Sequence, residues 1–198
     1  GLAAALGLIA LGGAAWHGWP GPLDPTRQVV VFLGDSITSG EGIPPEAAFP
    51  ILLGRALGIP VRNAGVSGDT SGGGLRRLQS DVLVHRPKLV VVVLGVNDVV
   101  DYHQPPAETL GNLRQIARRL RKDGAGVVLV HIRLAEFGSE VYREGFREIA
   151  RRERAWLVED FFAGVYPRFT PDGLHPSREG HARLATRLEP LLREILAR

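Results

Sequence analysis

The stretch VVVFLGDSITSGEG, residues 29–42, carries five consecutive apolar residues into Gly34-Asp35-Ser36. A short apolar run without polar alternation suits a parallel strand covered on both faces. Two further runs have the same character, KLVVVVLG (88–95) and GVVLVHI (126–132). With QVVVFLG (28–34), VRNAG (61–65) and AWLVEDF (155–161), they make five strand-like segments. Helical patterns lie between them. Leu110, Leu113, Ala117 and Leu120 recur at helical steps within 107–121, as do Leu184, Leu188, Leu191 and Ile195 near the carboxyl end. Five alternations of strand and helix predict a three-layer α/β/α domain of flavodoxin-like type, with a five-stranded parallel sheet. Right-handed crossovers favour the strand order 2-1-3-4-5. In that order the topology reverses between the first and third strands. Ser36 and the GVND stretch (95–98) would then face one crevice.

Composition narrows the classes. A length of 198 residues fits one domain with an appendage, and 23% charged residues is ordinary for a globular chain. Of the 24 basic residues 22 are arginines, but many alternate with glutamate, as in YREGFREIARRER (142–154). That pattern reads as a solvated helix face, so no nucleic-acid partner is expected. The absence of cysteine excludes disulfides, thiol catalysis and Cys-ligated metals.

The first residues differ in kind. Leu2 to Trp16 carry no charge, which is short for a membrane span and close to the length of a signal-peptide core. Residues 1–25 are therefore expected to be a signal- or anchor-like hydrophobic segment with its linker, and residues 26–198 the domain. Export or membrane attachment, an extracytoplasmic location and membrane contact through residues 2–16 are expected on the same grounds. A helix packed on the domain or on a partner chain is the alternative.

Four stretches could carry chemistry. Ser36 could be a helix N-cap, or a hydroxyl set at a helix start among backbone N–H groups. NAGVSGDTSGGGLRRL (63–78) could be a flexible turn or a loop whose backbone approaches a ligand closely; it lacks the Walker A lysine and the dinucleotide spacing. Asn97 of GVND could cap a turn or donate its amide to an oxyanion. In TPDGLHP (170–176), His175 could take a proton from a serine, and Asp172 could fix its tautomer. No G-x-S-x-G elbow is present, so the pattern is not that of an α/β-hydrolase.

Taken together, GDSIT (34–38), Gly68 of SGDTS, GVND and DGLH (172–175) resemble, in order and spacing, the four blocks of the SGNH (GDSL) hydrolases. The 63–78 stretch further resembles the bacterial multifunctional esterase/thioesterase/lysophospholipase and arylesterase branch, and the resemblance spans roughly residues 28–197. It implies Ser36 as nucleophile, His175 as base and Asp172 as its orienter. It implies an oxyanion hole of the Ser36 and Gly68 backbone N–H groups and the Asn97 side chain. Asp35, Asp69 and Asp98 would be acceptors that hold their loops. The implied activity is hydrolysis of a small-molecule or lipid ester through an acyl-enzyme, with no metal and no cofactor. Val99 and Val100 are candidates for an apolar acyl wall, or simply pack under the loop. Two other readings stay open, a carbohydrate O-acetylesterase and a non-enzymatic phosphate-binding module.

Overall fold

The computed structural model describes residues 22–198. The signal, anchor and membrane-contact expectations for residues 2–16 lie outside the described residues. Among the described residues, five strands form one parallel sheet: β1 Val30–Gly34, β2 Val61–Gly65, β3 Leu89–Val93, β4 Gly126–Val130 and β5 Trp156–Val158. Their order is β2-β1-β3-β4-β5, the order expected from the sequence.

Every residue of β1, β3 and β4 is buried, which is why these three read as unbroken Val/Leu runs. β2 is an edge strand and is only partly buried, in keeping with its Arg62 and Asn63. β4 and β5 end earlier than the apolar runs suggest. His131 still donates its N–H to the Val158 carbonyl at 2.9 Å, but Asp160 adopts a φ of 51°, a left-handed conformation that ends the regular strand.

Helices cover both faces of the sheet. Short α1 Ser36–Ser39 follows β1, and α2 Phe49–Leu57 leads into β2. α3 Ser71–Arg76 and α4 Leu78–Asp81 follow β2, and α5 Val96–Val100 follows β3. α6 Pro106–Asp123, α7 Glu140–Glu153 and α8 Arg178–Leu196 are the long ones. α2 packs with α8, and α6 packs with α3 and α7. The stripes predicted for α6 and α8 face inward: Leu113, Ala117 and Leu120, and Leu184, Leu188, Leu191 and Ile195, are buried, while Leu110 is partly so.

The core also takes in a residue of the linker. Leu23 is buried, and it stands where a side chain on Gly126 would otherwise go. On the α8 side the core is aromatic. Phe49 meets Phe32 and Phe161 edge to face, and His181 stacks on Phe49 at 6.0 Å and 13° between planes.

One close approach bears directly on function. The last residue of β2, Gly65, lies beneath α1. A β-carbon there would stand 2.7 Å from the Ser39 Cα and 2.8 Å from the Thr38 carbonyl carbon, both of them backbone. Gly65→Ala is therefore expected to push α1, and Ser36 with it, off the sheet. The expected cost is about 1–3 kcal/mol of stability together with a lower kcat. Thermal unfolding and ester turnover measured on the same preparation check both.

Candidate active site

β1 delivers Ser36 to the sheet's carboxyl edge. Asp35 caps α1 through its side chain, accepting from the Ile37 N–H at 3.0 Å, and Ser36 is the first helical residue. Its N–H lies in the first helical turn, where amides have no intrahelical acceptor. Gly40 closes this short helix in the left-handed conformation.

The loop before α8 delivers the imidazole. His175 Nε2 lies 2.9 Å from Ser36 Oγ, and His175 Nδ1 lies 2.6 Å from Asp172 Oδ2. The other Asp172 oxygen accepts from the backbone N–H groups of Leu174 (3.0 Å) and His175 (2.7 Å). The His175 contact, then these amides, hold the Asp172 carboxyl far below the usual carboxylate range. It is an anion at any working pH. With a carboxylate at Nδ1, the ring keeps its proton there and offers the Nε2 lone pair to the serine.

The loop after β2 and the start of α5 face the same edge. Gly68 has a φ of 73°, and nothing stands within 4 Å of where its β-carbon would be. The backbone at this point faces open space, as a ligand-binding turn requires. Asn97 is buried and donates one amide hydrogen to the Asp69 carbonyl at 2.8 Å, which ties the Gly68 loop to α5. Asp98 turns away from the edge and accepts from the Ser71 N–H at 2.8 Å and from the Ser71 hydroxyl. Asp69 accepts from the Thr70 N–H at 2.9 Å and from Arg77. The three aspartates thus hold loops, in keeping with what the resemblance implies.

Val99 and Val100 part company. Val99 is buried and lines a cavity of about 350 Å³ with Pro105, Pro106, Val141 and Tyr142 among others. Val100 is exposed and is not among that cavity's lining residues. Among the described residues no cluster of three or more His, Cys, Asp or Glu side chains could hold a metal ion.

Similarity to known proteins points the same way as this geometry. The sequence model of the family described as "GDSL-like Lipase/Acylhydrolase family" matches residues 32–183. The chain belongs to that family. It is 34% identical over 181 residues to "Esterase TesA" of Pseudomonas aeruginosa, covering 85% of this chain and 90% of that one. It is equally 34% identical over 178 residues to "Thioesterase 1/protease 1/lysophospholipase L1" of Escherichia coli, covering 83% and 85% respectively. A crystal structure of TesA superposes with a TM-score of 0.78 at 33% identity, covering 85% of this chain and all of that one. As a GDSL acylhydrolase, the chain is a carboxylic ester hydrolase acting on small-molecule esters.

Two buried histidines and one buried aspartate are not separable by sequence reading from ordinary loop and helix residues. His131 sits between the rings of Phe137 and Phe146, with Nε2 2.7 Å from the Phe137 carbonyl. His181 accepts from the Phe49 N–H at 3.3 Å, while its Nε2 is buried with no partner among the described residues. Burial, then the nearby His175, pushes His181 down from 6.5 to about 4. Burial pushes Asp35 the other way, from 3.8 up to about 7. These shifts act on stability in opposite directions over overlapping pH ranges. Between pH 4 and 6.5 the unfolded chain holds a His181 proton that the folded chain lacks, so that contribution is lost as pH falls. Between pH 3.8 and 7 the folded chain holds an extra proton on Asp35, so that contribution is lost as pH rises. The expected consequence is specific to one side chain. His181→Gln keeps an acceptor for Phe49 but cannot titrate. It should flatten the fall in Tm from about pH 6.5 to 4 relative to the unmodified protein, and identical Tm–pH slopes in the two proteins would contradict the assignment.

Proposed function

We propose that this protein is a serine esterase that cleaves carboxylic esters through an acyl-enzyme on Ser36. The observation that carries this reading is the hydrogen-bonded series Ser36 Oγ–His175 Nε2 (2.9 Å) and His175 Nδ1–Asp172 Oδ2 (2.6 Å). In the mechanism we propose, His175 takes the hydroxyl proton as Ser36 Oγ attacks the ester carbonyl carbon. Negative charge moves to the carbonyl oxygen. The Ser36 and Gly68 N–H groups and the second amide hydrogen of Asn97 receive it. The Asp172 carboxylate stabilises the imidazolium that forms. His175 then gives its proton to the leaving alkoxide, the C–O bond breaks, and an acyl ester remains on Ser36. Water attacks this ester by the same route and frees the acid. Each step uses only the chain's own groups and water.

For the substrate we propose aryl and acyl esters, extending to acyl thioesters and lysophospholipids. The names of the relatives, among them an "Arylesterase" of Vibrio mimicus at 32% identity, support that range, as does the cavity beside α5 that Val99 lines. We further propose an extracytoplasmic location, with residues 1–25 as the addressing or anchoring segment and 26–198 as the domain. Its support is the charge-free run from Leu2 to Trp16. Among the described residues no helix is long and apolar enough to cross a membrane.

A fluorophosphonate probe is expected to label the protein at Ser36 and to leave Ser36→Ala unlabelled and without turnover. An unlabelled native protein would count against Ser36 as the nucleophile. Asn97→Ala should lower kcat by roughly 10²-fold, and wild-type kcat in this variant would remove Asn97 from the oxyanion site. A panel of p-nitrophenyl esters, thioesters and lysophospholipids separates the substrate classes. Turnover of acyl chains longer than acetyl is expected, whereas activity on acetyl esters alone would point to a deacetylase.

A further inference from the structure

We propose that Arg77 is a positioning residue for the oxyanion donors, acting through the ends of two strands and the donor-bearing loop; this rests on the esterase reading above. Arg77 follows α3, and its side chain is 15% exposed. Its guanidinium is shared among three segments. One terminal nitrogen donates to the Gly34 carbonyl at 2.9 Å, and the other to the Ala64 carbonyl at 2.8 Å. Nε donates to the Asp69 carboxylate at 2.7 Å. Asp81 adds a second counter-charge at 3.2 Å.

These acceptors are placed where donor spacing is decided. Gly34 is the last residue of β1, two before the Ser36 N–H. Asp69 directly follows Gly68, and its own carbonyl receives the Asn97 amide at 2.8 Å. Through a single planar cation, the segments bearing Ser36, Gly68 and Asn97 are fixed relative to one another. The Gly34 carbonyl also accepts from the Val66 N–H at 3.0 Å, so the start of the Gly68 loop is pinned at the same atom.

The residue type matters. A guanidinium offers five N–H donors in a fixed fork, whereas an ammonium is a point charge that cannot serve two carbonyls and a carboxylate in one plane. Donors that stabilise an oxyanion act only where the charge develops, and displacement by about 1 Å can cost roughly 10²-fold. Loosening this fork should therefore be felt in the transition state more than in substrate binding.

The test uses Arg77→Lys and Asp69→Asn in the full chain, with a p-nitrophenyl ester as substrate and a phenylboronic acid as the tetrahedral probe of Ser36. Both variants should lose about 10–100-fold in kcat with KM within about twofold. Boronate affinity should weaken by the same factor as kcat/KM, with circular dichroism unchanged at the assay temperature. The double variant should fall little further than the worse single, because both remove one contact. Wild-type kcat in both variants, a loss confined to KM, or boronate affinity unchanged while turnover falls would each overturn the proposal. If Arg77→Lys does not fold, Asp69→Asn decides. Ser36→Ala serves as the control. Turnover surviving in it would sink the esterase reading itself, whereas a dead Ser36→Ala beside fully active Arg77→Lys and Asp69→Asn sinks only the role of Arg77.

Discussion

β1 is hydrogen-bonded in parallel to β2 on one side and β3 on the other, and the two registers end level, with Gly34 opposite both Gly65 and Val93. Three chain segments therefore leave the sheet side by side, at the same height and in the same direction. The residues that come next in each of them have to share one small volume. After β1 comes Asp35-Ser36, after β2 the Gly68 loop, and after β3 the turn into Asn97. Parallel pairing costs the chain long crossovers, since no tight turn can join such strands. The return is that helix starts and glycine turns, with their free N–H groups, gather at one edge where no side chain needs to supply charge.

Electrostatics at this edge are arranged by burial as much as by pairing. Asp172 is kept ionised by His175 and two amides and stands toward solvent, where an anion costs little. Asp35, one residue from Ser36, is fully buried, and burial favours its neutral form up to about pH 7. In the proposed mechanism a second full negative charge there would oppose the developing oxyanion. The buried histidines obey the same logic. Burial favours neutral His181, so His175 has no buried cation beside it. Arg77 is the cation that does lie close under the edge, and Asp69 and Asp81 both face it.

Much of this is legible in the residues, for a definable reason. Buried parallel strands leave an unbroken apolar signature, so β1, β3 and β4 are readable from their Val runs to within a few residues. Polar side chains just past an apolar strand, such as Ser36 and Asn97, stand out against that background, and His175 stands out by its spacing from Asp172 in the loop before α8. Arg77 does not. It is one of 22 arginines, most of them on helix faces, and nothing local distinguishes a fork across two strand ends from an i,i+4 surface pair. Gly65 is hidden likewise. A glycine ending a strand looks like a turn, and only packing shows that the α1 backbone passes over it. The difference between Val99 and Val100 is rotation within a single helical turn, which a pair of identical neighbours cannot reveal. β4 and β5 read as longer than they are because apolar character continues through Ile132 and Phe161, which are buried but no longer in the ladder.

The site also divides into a fixed half and a self-contained half. Ser36, the Gly68 loop and Asn97 are held by the sheet, by the close approach at Gly65 and by the hydrogen bonds of Arg77 to Gly34, Ala64 and Asp69. His175 and Asp172 come from a short turn that builds itself, since Asp172 holds the amides of Leu174 and His175 as well as the ring. It is attached to the rest by Leu174 packing on the core, by the His175–Ser36 contact and by Ser177, whose N–H donates to the Phe169 carbonyl at 2.7 Å and whose hydroxyl caps α8. The segment between α5 and α6 belongs with the first half, since the Asp101 and Tyr102 N–H groups donate to the Asn97 carbonyl at 3.1 and 3.2 Å and the Gln104 N–H to the Asp98 carbonyl at 2.7 Å. A change in that segment, which also borders the 350 Å³ cavity, therefore reaches Asn97 through the backbone.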